Sequence, residues 1–515
     1  MKKVIVFLFL LGSFTQLFSQ ENQDSVMNNM KNDFDSYSKK SIQDFNDFRD
    51  KANADFAEYM RKGWVNFVAA KGVESPIAPE PSKPELFPVD KNHQEVKLPL
   101  DTIKNNVEIV PPKISFTVPP VLIKPKLPTV PTAVSDLPII DSVEFYGTYL
   151  SIPWDKNGMH IQILSANENE LSSVWNAMSK AHYQSTLGNI KHNADILGLN
   201  DWGYYLLIKQ ISEKLYDDAH RNERIATQFF LLSQLGYRAR VGSGDDSFVL
   251  LLPFKEPVYN KSYLILNEIK YYIFNYSNKG TKSSYSTFNQ DFSLADKTAS
   301  LIITHPLQLG IQTDSICLSK WDNVIGKNVK LPIRPMNVAF TLNYPQFGLE
   351  YFHECAVDKT LSETIIRSVK ERINGMDEFH AVSYILNLIQ NGFEYKTDQE
   401  MFGRQKPLFI EESFFYGTNN CKDRVLVFSW LMKNVMRLPT VMFIYDGLNG
   451  KAGHVACGVS FNSDVNGDYY NYGDRKFVMC DPTYINAPIG QTMPKYKDTK
   501  AKIVDLSEIK SMSFR

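Results

Sequence analysis

The chain has 515 residues, 43% of them hydrophobic, with 57 acidic and 56 basic side chains. That length and apolar content suit two or three domains with substantial cores, and exclude a disordered or fibrous chain. A formal charge of −1, lowered by two more once Lys2 and Lys3 are removed, offers no general attraction for nucleic acid or anionic lipid.

The chain opens MKKVIVFLFLLGSFTQLFSQ: two lysines, an apolar run, then small and polar residues. This layout predicts a secretory signal peptide over 1–19, cut near Ser19 and Gln20, and an extracytoplasmic protein that is periplasmic, secreted or held at the cell surface. No later stretch approaches ~20 uninterrupted apolar residues, so no transmembrane segment is expected in the mature chain. Residues 20–73 read as one long amphipathic helix. Phe34, Phe45, Phe56 and Phe67 recur every eleven residues, as do Val26, Tyr37, Phe48 and Tyr59, and eleven residues over three turns keep one apolar stripe on a nearly straight helix. Such a helix can pair with a copy of itself in a coiled coil or lie back on the globular part. Residues 74–138 carry 14 of the 26 prolines and read as an extended linker, because proline fixes φ and withholds a donor.

From residue 139 the sequence is globular, and it contains a second repeat. RNERIATQFFLLSQL at 221–235 aligns with CKDRVLVFSWLMKNV at 421–435, sharing Arg224 and Arg424 at the fourth position. Downstream, SFVLLLPF at 247–254 matches HVACGVSF at 454–461, and KYYIFN at 270–275 matches KFVMCD at 476–481. Upstream, DWGYYLLIKQIS at 201–212 parallels EFHAVSYILNLIQ at 378–390. In this alignment Arg221, Ser247 and Asn275 stand where Cys421, His454 and Asp481 stand, so the first copy lacks all three chemical groups. A long loop is expected between Tyr395 and Cys421.

Five cysteines, Cys317, Cys355, Cys421, Cys457 and Cys480, are too few for a disulfide scaffold and odd in number, so an unpaired thiol in an oxidising compartment asks for a role. There is no CxxC or HExxH and the nine histidines are scattered; neither a metal nor another cofactor is expected. Cys421 opens an apolar helix after Asn419 and Asn420, and a helix N-terminus beside an imidazole lowers a thiol's pKa. His454 would move the proton and Asp481 would hold the imidazole. The backbone N–H of Cys421 and the side chain of Asn419 are the candidate oxyanion donors. If His454 and Asp481 face each other on adjacent antiparallel strands, alternation sends Cys457 and Cys480 to the opposite, core face, diagonal to one another. Each residue alone is commonly structural: a buried small hydrophobe, a satisfied core histidine, a turn.

The blocks NCKDRVLVFSWL, GHVACGV and CDPTYINAPIG resemble the Cys, His and Asp blocks of the transglutaminase-like superfamily, over about 361–497. The resemblance implies an α+β, papain-like fold with a Cys-His-Asp triad on Cys421, His454 and Asp481. With the repeat, it implies two tandem modules: a degenerate one over 139–300, a β-rich connector over 301–360, and a catalytic domain over 361–515. The chain departs from the family at Asn420, where a small or acidic residue is frequent. The aromatic stretch Phe414, Phe415 and Tyr416, which either lines a groove or packs on the triad helix, offers no side-chain oxyanion donor.

The expected function is an exported cysteine peptidase or amidase acting through a thioester on peptide or protein amides of the cell envelope. Glutamine transamidation and a non-catalytic, peptide-binding envelope scaffold are the alternatives, with self-association through the N-terminal helix.

Overall fold

A computed structural model of the protein describes residues 20–75, 81, 83–88, 137–274, 283–310, 331–447 and 453–506. The expected signal peptide, most of the expected proline-rich linker, Asn275 and Cys317 lie outside these residues.

Helix α1 (Gln20–Lys62) carries the eleven-residue repeat and ends with Arg61 and Lys62, cations suited to a helix C-terminus. It stops eleven residues short of the expected boundary. Gly63 closes the last turn onto Tyr59 O, and Trp64–Val68 forms strand β1 instead. The reason is tertiary: aromatic and β-branched residues favour a strand where an open edge is offered, and β8 (Ser284–Phe288) offers one in antiparallel register. The downstream part of α1 lies on the globular body. Ala52, Phe56, Ala57 and Met60 are buried against α2 (Glu168–Ser179), where Ser172 Oγ donates to Ala57 O at 2.7 Å. Phe56 meets Trp175 edge-on at 4.9 Å.

A hairpin of β2 (Ile139–Phe145) and β3 (Thr148–Pro153) leads into α2, α3 (Tyr183–Leu197), α4 (Asp201–Leu215) and α5 (Arg221–Gln234). Strands β4 (Arg240–Gly244), β5 (Ser247–Pro253), β6 (Tyr263–Leu266) and β7 (Ile269–Phe274) then build a sheet in the order β1-β8-β4-β5-β7-β6. Where a β-rich connector was expected over 301–360, the described residues carry helices α6 (Pro335–Leu342) and α7 (Leu349–Glu354). Proline at the first turn of α6 suits a helix start, where no donor is needed.

The C-terminal part holds α8 (Lys359–Arg372), α9 (Glu378–Gly392), β9 (Glu394–Tyr395), α10 (Asp398–Phe402), α11 (Ile410–Tyr416), β10 (Thr418–Asn419) and α12 (Cys421–Leu431). The stretch read as a long loop before Cys421 is thus two short helices and a parallel strand pair. Phe414 is buried and packs on Phe393, whereas Phe415 and Tyr416 are half-buried at the core's edge. Strands β11 (Thr440–Tyr445), β12 (His454–Val459), β13 (Tyr469–Tyr472), β14 (Arg475–Cys480) and β15 (Lys502–Asp505) form a sheet ordered β13-β14-β12-β11-β15. The fold is therefore mixed α+β.

The two sheets have one connectivity. Leaving β1 aside, β6-β7-β5-β4-β8 reads as β13-β14-β12-β11-β15, and neighbours are antiparallel in both. The registers coincide as well. Leu250 pairs with Phe274 on one sheet, and the residues aligned with them, Cys457 and Cys480, pair on the other. Helices α4 and α9 are each 15 residues long, and each is clamped by an arginine from the next core helix. Arg224 Nη2 donates to Tyr216 O at 2.8 Å, and Arg424 Nη2 to Phe393 O at 2.7 Å; Tyr216 and Phe393 are the C-caps of α4 and α9. One apolar cluster runs through both parts, from Phe56 and Trp175 to Phe428 and Cys457.

Candidate active site

Cys421, His454 and Asp481 come from three elements. α12 starts at Cys421, β12 starts at His454, and Asp481 directly follows β14. Every residue of α12 is buried, so a helix with no solvent-exposed face is threaded through the core and its N-terminus is delivered to the sheet. Alternation puts His454, Ala456 and Asp481 on one face of the sheet and Cys457 and Cys480 on the other, as expected. The register differs from the expected one: Cys457 and Cys480 are directly opposed, whereas His454 and Asp481 are diagonal. A histidine side chain is long enough to span that diagonal. Both cysteines are free.

His454 Nε2 lies 2.8 Å from Asp481 Oδ2. A carboxylate only accepts, so Nε2 carries the proton and donates. The other carboxylate oxygen, Oδ1, accepts from the backbone N–H groups of Thr483 at 2.8 Å and Tyr484 at 3.2 Å, which is what the Asp-Pro-Thr turn does for the site. Buried Gln390 on α9 secures the same turn: its Nε2 faces the carbonyl oxygens of Asp481, Tyr484 and Ala487 at 2.9 to 3.1 Å.

The remaining ring nitrogen, Nδ1, is buried without a hydrogen bond of standard geometry. Cys421 nevertheless interacts with the ring, through both hydrogen bonding and charge, in the sense that favours a protonated imidazole. Burial alone would pull His454 down; the charge and hydrogen bond of Asp481, with Cys421 adding to them, outweigh it and raise the imidazole to about 10. The ring stacks on Tyr496 at 5.0 Å, and Tyr496 stacks on Tyr445 at 4.9 Å. The three site residues are closed off from solvent, at 2% exposure for Cys421 and His454 and 3% for Asp481.

Beyond its place in the repeat, Arg424 has a part in the site that sequence reasoning missed. Burial lowers its guanidinium to about 10, against the opposing influence of Tyr395, Cys421 and Asp481, so a buried cation lies near Cys421 and Asp481. Its Nε donates to Asn419 Oδ1 at 3.1 Å and its Nη1 to Gln390 O at 3.1 Å. With the oxygen of Asn419 held there, its Nδ2 remains a buried donor without a partner. The recurrence of arginine at the fourth helix position was the signal for it. Gln390, Tyr395, Tyr445 and Tyr496 had no comparable signal.

Asn420, the departure from the resembled family, belongs to a buried polar network. Its Nδ2 donates to Asp398 Oδ1 at 2.8 Å, and Lys422 Nζ donates to Asp398 Oδ1 at 2.7 Å and to Asn420 Oδ1 at 2.9 Å. Asp423 accepts from Leu408 N at 2.9 Å; burial pushes its carboxyl up to about 7, with Lys422 resisting. The Lys-Asp pair after the cysteine therefore anchors α12 to the chain before it. Among the described residues, no three His, Cys, Asp or Glu side chains converge as a metal ligand set.

Neither descriptions of protein families nor curated proteins match this chain. Among solved structures, it is similar to one described as a proposed cysteine protease from Cytophaga hutchinsonii, at 13% identity and a TM-score of 0.19 over 29% of this chain. The match spans 54% of that protein's length.

Proposed function

We propose that the chain is an exported thiol acyl-transfer enzyme of the transglutaminase-like superfamily, working as a cysteine peptidase or amidase on peptide amides outside the cytoplasm. The observation that carries this reading is the buried His454, bonded through Nε2 to Asp481 and facing Cys421 at the N-terminus of α12. An imidazolium beside a sulfur at a helix N-terminus favours the thiolate. The thiolate adds to the amide carbonyl carbon, and the oxyanion is received by the free N–H groups of the first turn of α12 and by Asn419 Nδ2. As the C–N bond breaks, the imidazolium gives its proton to the departing amine. A thioester is left on Cys421. Water then gives a proton to His454 and adds to the thioester, and the proton returns to sulfur as the acid leaves.

The matching sheet orders and the arginine clamps support a duplication in which only the second module kept the chemistry. The residue aligned with Cys421, Arg221, is exposed and donates to Asp218 O, and Ser247 Oγ donates to Gly244 O within its own turn. Trapping decides the matter: intact-mass and peptide mass spectrometry after incubation with envelope peptide amides should find an acyl adduct on Cys421, absent in Cys421→Ser. Full amide turnover by Cys421→Ser would sink the reading.

A further inference from the structure

A short piece of the proline-rich linker lies beside the triad. Leu86 bridges Ile485 in parallel: Phe87 N donates to Ile485 O at 2.9 Å, and Ile485 N donates to Glu85 O at 2.9 Å. Ile485 follows the turn that holds Asp481, so one residue of that loop has both backbone groups engaged by an extended strand. The side chains of the strand are also read. Glu85 Oε1 pairs with Lys495 Nζ at 2.5 Å, and Phe87 meets Tyr484 edge-on at 5.5 Å. Upstream, Tyr395 Oη donates to Pro81 O at 2.7 Å. Leu86, between the two recognised side chains, points out and is 71% exposed.

The recognising residues ring the site. Tyr395 pairs with Asn419 on the β9–β10 ladder and lies under the Arg424 guanidinium at 5.5 Å. Lys495 precedes Tyr496, which stacks on His454. The phenol of Tyr496 is pushed up chiefly by burial, with Cys421, Glu85 and Asp481 all adding to it, so Glu85 and the thiol act on one ring. Proline at 81, 84 and 88 keeps such a strand extended at little entropic cost.

We infer that this surface is the peptide-binding groove of the site, taking an extended peptide by main-chain pairing at Ile485 with an acidic side chain on Lys495 and an aromatic one two residues later on Tyr484, and that Pro81 and residues 83–88 occupy it as an intramolecular competitor. As a substrate groove it rests on the acyl-transfer reading; as a binding site it does not. Main-chain pairing supplies affinity, and the alternate side chains Glu85 and Phe87 supply selectivity, which is the division of labour in strand addition.

The test is fluorescence anisotropy of a labelled peptide PSKPELFP against the full chain and against the full chain carrying Glu85→Ala with Phe87→Ala, each also in a Cys421→Ala background. The opened variant should bind saturably, and the intact chain roughly tenfold more weakly or worse, because its own strand is present at high effective concentration. Adding Lys495→Glu to the opened variant should weaken binding by roughly fivefold, and a peptide with lysine in place of the glutamate should restore it, a rescue that a misfolded variant cannot give. No saturable binding by the opened variant, equal binding by the intact chain, or no rescue overturns the groove. Binding needs no thiol. Tight binding with an inert Cys421 therefore removes only the acyl-transfer reading, and a reactive Cys421 without binding removes only the groove.

Discussion

His454 and Asp481 sit on the same face of the C-terminal sheet but not opposite one another, and a 2.8 Å hydrogen bond closes the diagonal. Because the imidazole is raised to about 10 from its ordinary 6.5, the pair contributes stability that is fully present below about pH 6.5 and is lost as pH rises through about 10.

Asp481→Asn removes the charge that raises His454 and leaves burial to pull the ring down. The alkaline limb of Cys421 alkylation, followed against pH, should move to lower pH, and amide turnover should fall by about a hundredfold or more. An unchanged pH profile would show that Asp481 does not govern the imidazole.

The thiols should separate sharply by reactivity. Burial pushes Cys355 up to about 12 and holds Cys457 and Cys480 well above the ordinary thiol range, and thiolate is the species that alkylates. Iodoacetamide at pH 7, followed by peptide mapping, should modify Cys421 ahead of these three, and faster in the Glu85→Ala, Phe87→Ala chain. Comparable labelling of Cys457 would contradict the buried sheet face.

Arg424→Leu strands the carbonyl oxygens of Gln390 and Phe393 in the core. Thermal unfolding should report a loss of about 3 kcal/mol, and Arg424→Lys should recover little of it, since an ammonium cannot reproduce the planar fork. Arg224→Leu should cost a similar amount, through Tyr216 O, while leaving Cys421 reactivity intact until the protein unfolds.

We propose self-association through the upstream half of α1, where Phe34, Tyr37, Phe45 and Phe48 are between 56% and 73% exposed on the eleven-residue stripe. An apolar helical stripe of that size is stable in water when another surface covers it. Light scattering should find an oligomer for the intact chain and a monomer for Phe45→Glu with Phe48→Glu. A monomeric intact chain would remove the proposal.

Much of this was legible from local pattern. The eleven-residue period marked α1, and the apolar run after Cys421 marked α12. Short apolar runs matched between the two copies marked β5, β7, β12 and β14, and alternation assigned Cys457 and Cys480 to the face away from His454. Periodicity is a property of neighbours in the chain, so it survives in a bare sequence. It failed where a distant partner decided the outcome. Trp64–Val68 continues the helical stripe yet pairs with β8, and the stretch before Cys421 folds into α10 and α11, with Asp398 of α10 tied to Lys422 of α12.

By itself the sequence determined the order Cys421, His454, Asp481, the helix and strands that carry them, and that Arg221, Ser247 and Asn275 stand at the aligned positions. Only the tertiary structure decided the ladder register that makes His454 and Asp481 diagonal, the placing of Arg424, Gln390 and Tyr496 around them, and the lodging of Glu85, Leu86 and Phe87 at Ile485. The division has one physical cause. Element type follows from local propensity and burial period, whereas register, stacking and strand capture depend on which remote surfaces meet, and those are selected by the packing of the whole core.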